Sequence, residues 1–198
     1  MTSNPFAAFG LEPAPALDGA ALKERFARAT AESHPDRFQQ APEMERAAAE
    51  ARYAELNRAY QTLIDPRQRL PALYELTKGE KPRDVQRIPP GTMDLFAEVG
   101  QTCRQADQLL ERKRAAGRLE RAGLISAEMV LQDLLAVLRG KLETLGTALE
   151  GDLAALDAKW RAGEKDLGAL EALYRKYSYL ARWRQQLEER EIALMAGE

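Results

Sequence analysis

The sequence is poor in the residues that most chemical sites require. Of its 198 residues one is cysteine and one is histidine. A single Cys103 excludes an internal disulfide and any zinc site built from paired cysteines, and one thiol cannot hold an iron-sulfur cluster alone; a small core residue is its expected role. No stretch approaches the roughly 18 uninterrupted apolar residues that a membrane span needs. The first ten residues lack a basic start followed by an apolar core, so the chain is expected to be soluble, unprocessed and cytoplasmic. Charge of one sign is lacking as well. With 29 basic and 31 acidic residues the net charge is −2 and the pI near 5.7, which argues against a general nucleic-acid binder. No serine or cysteine nucleophile stands with a base and an orienting group, so catalysis, a resident metal and a cofactor are not expected.

β-Branched residues are also scarce, while Leu, Ala, Glu and Arg abound and the apolar positions recur at helical spacing, so the chain is expected to be all-α. Asn4-Pro5 followed by Phe6, Phe9 and Leu11 reads as one short helix ended by Gly10. Asp18 is a good N-cap for a helix over Gly19–Ser33, with Leu22, Phe26 and Ala29 on one face, and Pro35 stops it. A longer antiparallel helix over Glu43–Ile64 carries Met44, Tyr53, Leu56, Tyr60 and Leu63 on its apolar face. Asp65-Pro66 then opens a short helix bearing Leu70, Leu73 and Leu76.

Between Thr77 and Thr92, Gly79, Pro82, Pro89, Pro90 and Gly91 interrupt a polar stretch, as a linker would. The expected division is therefore a first domain over 1–76, a linker over 77–92 and a second domain over 93–198. Helical tracts over Met93–Arg114, Ser126–Trp160 and Glu164–Met195 follow. Leu131, Leu135, Leu138, Leu142, Leu145, Leu149, Leu153, Leu156 and Trp160 alternate steps of three and four, a stripe that demands a partner helix. Leu167, Leu170, Leu173, Tyr177, Leu180, Arg184 and Leu187 supply one, so a hairpin turning near Ala162-Gly163 and covered by the first tract makes a three-helix bundle. Glycines 140, 146 and 151 weaken the long helix unless a neighbour packs closely.

The lone histidine sits in His34-Pro35-Asp36, between two amphipathic helices. The tripeptide by itself reads as a helix stop and a capped turn. With its surroundings it reads otherwise, because the short helix with Phe6, Phe9, Gly10 and Leu11, the helix with Leu22 and Phe26, and the helix with Tyr53, Leu56, Asn57, Ala59 and Tyr60 resemble a J-domain over residues 4–76. That resemblance implies that the loop and the basic face of the preceding helix dock on the ATPase domain of a DnaK-type chaperone and trigger ATP hydrolysis. Proline stiffens such a loop, and aspartate offers an acceptor suited to a bidentate bond with arginine. Lys23, Arg25 and Arg28 are the candidates for complementary charge; Ser33 and Glu32 depart from the aromatic and basic residues usual there.

A J-domain joined by a short linker to a helical bundle, with neither a glycine-rich segment nor zinc-finger cysteines, resembles the HscB-type co-chaperones of iron-sulfur cluster assembly. Asp65-Pro66-Arg67-Gln68-Arg69, Tyr74-Glu75-Leu76 and Leu173 to Leu180 carry further likeness. The resemblance implies an HscA-type ATPase partner and, as client, the scaffold protein of cluster assembly, held at the start of the bundle by Leu95, Phe96, Glu98 and Val99. Ala97, Gly100 and Gln101 stand where acidic residues are frequent, and Leu95, Phe96 and Val99 also fit plain core packing. The alternatives are a J-protein with a different client and a coiled-coil adaptor with an inactive J-like segment. Burial of the leucine stripe within one chain makes a monomer the expected state.

Overall fold

The computed structural model describes residues 4–82 and 88–196; residues 83–87 of the expected linker, the first three residues and the last two lie outside them. The described residues are helical or loop, with no strand among them. After a short 3-10 turn at Ala7–Phe9 come α1 (Gly19–Glu32), a second 3-10 turn at Pro35–Phe38, α2 (Glu43–Ile64), α3 (Pro66–Lys78), α4 (Met93–Ala115), α5 (Arg118–Gly123), α6 (Ile125–Arg161) and α7 (Leu167–Ala196). Each long helix matches its sequence expectation within three residues. The short helix expected before Gly10 is a 3-10 turn that Gly10 ends. Two differences are plain: Met44, expected on the apolar face of α2, is 86% exposed, and α5 was not expected. Gly117 and Gly123 bracket α5 and its six residues show no apolar period, so sequence carried no signal for it.

The ends are set by local chemistry. Asp18 accepts the amides of Ala20 and Ala21 and starts α1. Asp65 ends α2 and caps α3, where Pro66 occupies the first turn and costs no bond. Partial burial alone would raise the Asp65 carboxyl, but the side-chain and backbone hydrogen bonds and the charge of Arg67 outweigh it and hold the group below its ordinary range.

The described residues fall into two compact units. One gathers α1 to α3 with Asp152–Tyr174; the other gathers α4, α5, α6 as far as Gly151, and α7 from Arg175. In the first, Phe6, Leu22, Leu56, Leu63, Leu70 and Leu73 are fully buried, and the Phe26 and Tyr60 rings stack at 4.2 Å. The loop from Glu12 to Leu17 lies in this unit and has an unusual need. Pro13 and Pro15 lack amide protons and forbid regular structure, so the loop's carbonyls require donors from elsewhere. Trp160 Nε1 donates to Pro13 O at 3.2 Å, Arg69 Nε to Pro15 O at 2.8 Å, and Arg161 to Ala16 O at 3.4 Å; the amide of Ala16 donates to Asp157 at 3.0 Å. The buried Arg69 guanidinium also donates to Leu63 O at the end of α2.

In the second unit Val99, Ala106, Leu135, Leu142, Leu149, Trp183, Leu187 and Leu194 are buried, as the leucine stripe requires. Gly146 meets the close neighbour that a glycine in mid-helix calls for: a Cβ there would lie 2.6 Å from the Arg184 guanidinium, which donates to Leu142 O at 3.3 Å.

Arg69→Met keeps the aliphatic volume but withdraws charged donors from two buried carbonyls. It is expected to cost about 3 kcal/mol, read as a lower melting temperature with helicity retained below the transition. An unchanged melting curve would show that water replaces the guanidinium at no cost.

Candidate functional site

The His34-Pro35-Asp36 loop is shaped by its own backbone and by α2. His34 is extended, with φ −64° and ψ 128°, and Pro35 begins the 3-10 turn that Asp36, Arg37 and Phe38 complete. The imidazole Nδ1 accepts the Asp36 amide at 3.3 Å. The Tyr53 ring meets His34 edge-on at 5.5 Å. Arg37 donates to Ala31 O at 3.1 Å and clips the loop back to the end of α1. Asp36 Oδ2 lies 3.5 Å from the same imidazole Nδ1, yet about three quarters of the Asp36 side chain is exposed. The turn thus presents a largely exposed carboxylate, one oxygen of it beside the imidazole, as an acceptor within reach of a partner's donor.

The three basic residues of α1 have different roles. Lys23 is exposed. Arg28 pairs with Glu24 at 2.9 Å, an exposed pair that holds it only weakly. Arg25 is a fastener: it donates to Phe9 O at 2.9 Å and to Gly10 O at 3.4 Å, while Arg52 of α2 reaches Ala8 O at 3.4 Å. Sequence reasoning named Tyr53 only as a residue of the helix and not as the neighbour of His34, and it missed Arg37, Arg52 and Glu24 as parts of this region. Of these only Glu24 left a readable trace, four residues before Arg28.

Beside the loop, between the end of α1 and the start of α2, lies an open groove of about 410 Å³ lined by Ala29, Glu32, Ser33, Phe38, Glu45 and Arg52. The small Ser33 side chain donates to Ala29 O and leaves this space open. Glu32, Glu45 and Arg52 place two acidic and one basic side chain in its lining.

At the start of α4 the four expected client residues do not share one exposed face. Phe96 is 43% exposed and Leu95 half-buried, whereas Val99 is only 1% exposed and belongs to the interior. Glu98 is engaged by Lys141 of α6. Cys103 is buried too, and burial pushes its thiol up, away from reactive thiolate chemistry. Among the described residues no group of three or more His, Cys, Asp or Glu could hold a metal ion, and no helix is long and apolar enough to cross a membrane.

No protein-family model matches the chain. The co-chaperone protein HscB homolog of Aeromonas hydrophila is 36% identical over 104 residues, which are 52% of this chain and 60% of that protein. Its likeness therefore spans less than two thirds of the relative. The chaperone HscB from Vibrio cholerae superposes over 97% of this chain and 99% of its own, with a TM-score of 0.63 and 25% identity. The chain thus resembles an HscB-type protein along nearly its whole length. Human co-chaperone HscB shares the fold at a TM-score of 0.58, over 96% of this chain and 83% of that one, with 18% identity. The HscB-type likeness thus runs through both compact units and is not confined to the segment around His34.

Val99→Ser places a hydroxyl in the interior of the second unit and removes buried methyl groups. It is expected to destabilise that unit by about 2–3 kcal/mol, whereas Phe96→Ser should change the melting temperature little. Equal melting temperatures for the two variants would contradict this placement.

Proposed function

We propose that this chain is a co-chaperone that stimulates the ATPase of a DnaK/HscA-type chaperone through His34, Pro35 and Asp36, and that it delivers the scaffold protein of iron-sulfur cluster assembly as client. The observation that carries the first half is the exposed Asp36 carboxylate on a turn fixed by Pro35, the Nδ1 contact of His34 and the Arg37 clip. Asp36 accepts a guanidinium of the ATPase, and Lys23 with Arg28 supplies attraction along α1. Arg28 exchanges a weak exposed pair for the interface, while Arg25 acts by holding the N-terminal turn. The chain transfers no atom itself: it activates a partner's catalytic machinery and is not an enzyme.

The division of labour follows the sequence: a J-domain over 1–76, built as a helical hairpin with the His-Pro-Asp loop at its tip, a connection over 77–92, and a three-helix client-binding bundle over 93–198. Asp36→Asn tests the first part. Stimulation of the ATPase should fall at least tenfold, about 1.4 kcal/mol or more, while helicity and melting temperature stay unchanged, since an exposed carboxylate contributes little to folding. Stimulation retained by a folded Asp36→Asn chain would end the proposal.

The client half rests on Phe96 and Leu95, with Glu98 at the edge; Val99 supports the helix from inside. Phe96→Ser should weaken scaffold binding by about 2 kcal/mol, a thirtyfold rise in Kd, with stability preserved. A second reading, a J-protein with a different client, is favoured by one observation: burial of Val99 and the Lys141 contact of Glu98 leave less apolar and acidic surface here than a scaffold-binding patch would use. Scaffold affinity unchanged by Phe96→Ser selects that second reading.

A further inference from the structure

Helix α6 carries a second stripe that the first one hides in the sequence. Leu131, Leu135, Leu138 and Leu142 face the interior of the second unit, but Val130, Leu134 and Val137 are 60%, 42% and 58% exposed. At 100° per residue these three lie within about 60° of one another, roughly 100° around the helix from the buried leucines. They are spaced by four and three residues, as a helix that meets another helix requires.

We propose that this face of α6 is a self-association surface, on which a second copy of the chain packs antiparallel about a two-fold axis at Val137. Charge and shape are complementary around that one residue. In an antiparallel pair centred on Val137, each position faces the one equally far on the other side of it. Asp133 then faces Lys141 of the second copy, and Lys141 faces its Asp133; each lies four residues, about 6 Å, from the axis. Leu134 faces Gly140, where open space surrounds the position a Cβ would take, so a leucine knob meets a glycine gap. Val130 faces Thr144, whose hydroxyl is already bonded to Gly140 O at 3.0 Å. A parallel pair would set Asp133 against Asp133 and Lys141 against Lys141.

The Lys141 contact to Glu98 does not oppose this arrangement. Both side chains of that pair are nearly half exposed, so the ammonium can serve a second carboxylate. Three apolar side chains per copy form a contact well below the standard interface size, so the dimer is weak, with Kd on the order of 0.1 mM. The chain stays monomeric at low micromolar concentration. All of these residues belong to the second compact unit, and only Lys141, through its Glu98 contact, touches the client reading.

Sedimentation equilibrium of the full chain from about 10 µM to about 1 mM tests it. Dimer should appear across that range and vanish in Val137→Asp. Asp133→Lys and Lys141→Asp, each alone, should weaken association at least tenfold, because each sets like charges face to face. An equimolar mixture of these two variants should associate as the original chain does, since opposite charges then face each other again. Far-UV melting of each variant confirms that it is folded. Monomer throughout, or a mixture no better than its components, overturns the proposal. So does Val137→Asp weakening scaffold binding in a chain that never dimerises, which would give this face to the client.

Discussion

One buried guanidinium holds the first unit together. Arg69 on α3 donates to the last turn of α2 and to the proline loop that follows the N-terminal turn, three segments that share no regular hydrogen bonding. The need arises from covalent structure: Pro13 and Pro15 remove donors and make a loop whose acceptors lie where water is excluded. Asp157, Trp160 and Arg161 complete its bonding, so the turn between α6 and α7 shares a compact unit with α1 to α3. Removal of a charged donor from such a place leaves carbonyls with no partner, which costs more than the bond contributes when made.

The bonding reached this way bears on the proposed role of the His-Pro-Asp loop, because a loop that docked without reordering would lose less entropy on binding. Tyr53 supports the imidazole from α2, and α2 is held in turn by Leu56 and Leu63 in the interior and by Arg52 on the N-terminal turn. Arg25 secures the same turn from α1. The arginines of this region therefore divide between fastening and presentation. Sequence position alone gives all of them the same appearance.

That division marks the limit of what the sequence discloses. Helix limits were legible because Asp18, Asp65 and Pro35 act locally and because leucines at steps of three and four have one period and one consequence. The bonding between the loop of Glu12 to Leu17 and Asp157, Trp160 and Arg161 was not, since partners more than 140 residues apart leave no mark in spacing. Val99 shows a subtler failure. Leu95 and Val99 are four residues apart and fall on one side of the helix, yet α4 buries the second and half-exposes the first, a matter of where a neighbour ends. The same ambiguity hid the face of Val130, Leu134 and Val137 behind the leucine stripe that runs beside it.

The central claim is that an ATPase domain docks on the loop and α1. It is most directly tested by following the backbone amide resonances of the full chain while a DnaK/HscA-type ATPase is added. The account predicts that signals of His34, Asp36, Arg37 and the exposed side of α1 around Lys23 and Arg28 shift or broaden first, with those of α4 and α6 unmoved. Perturbations centred on α4 or α6, with the loop silent, would contradict it.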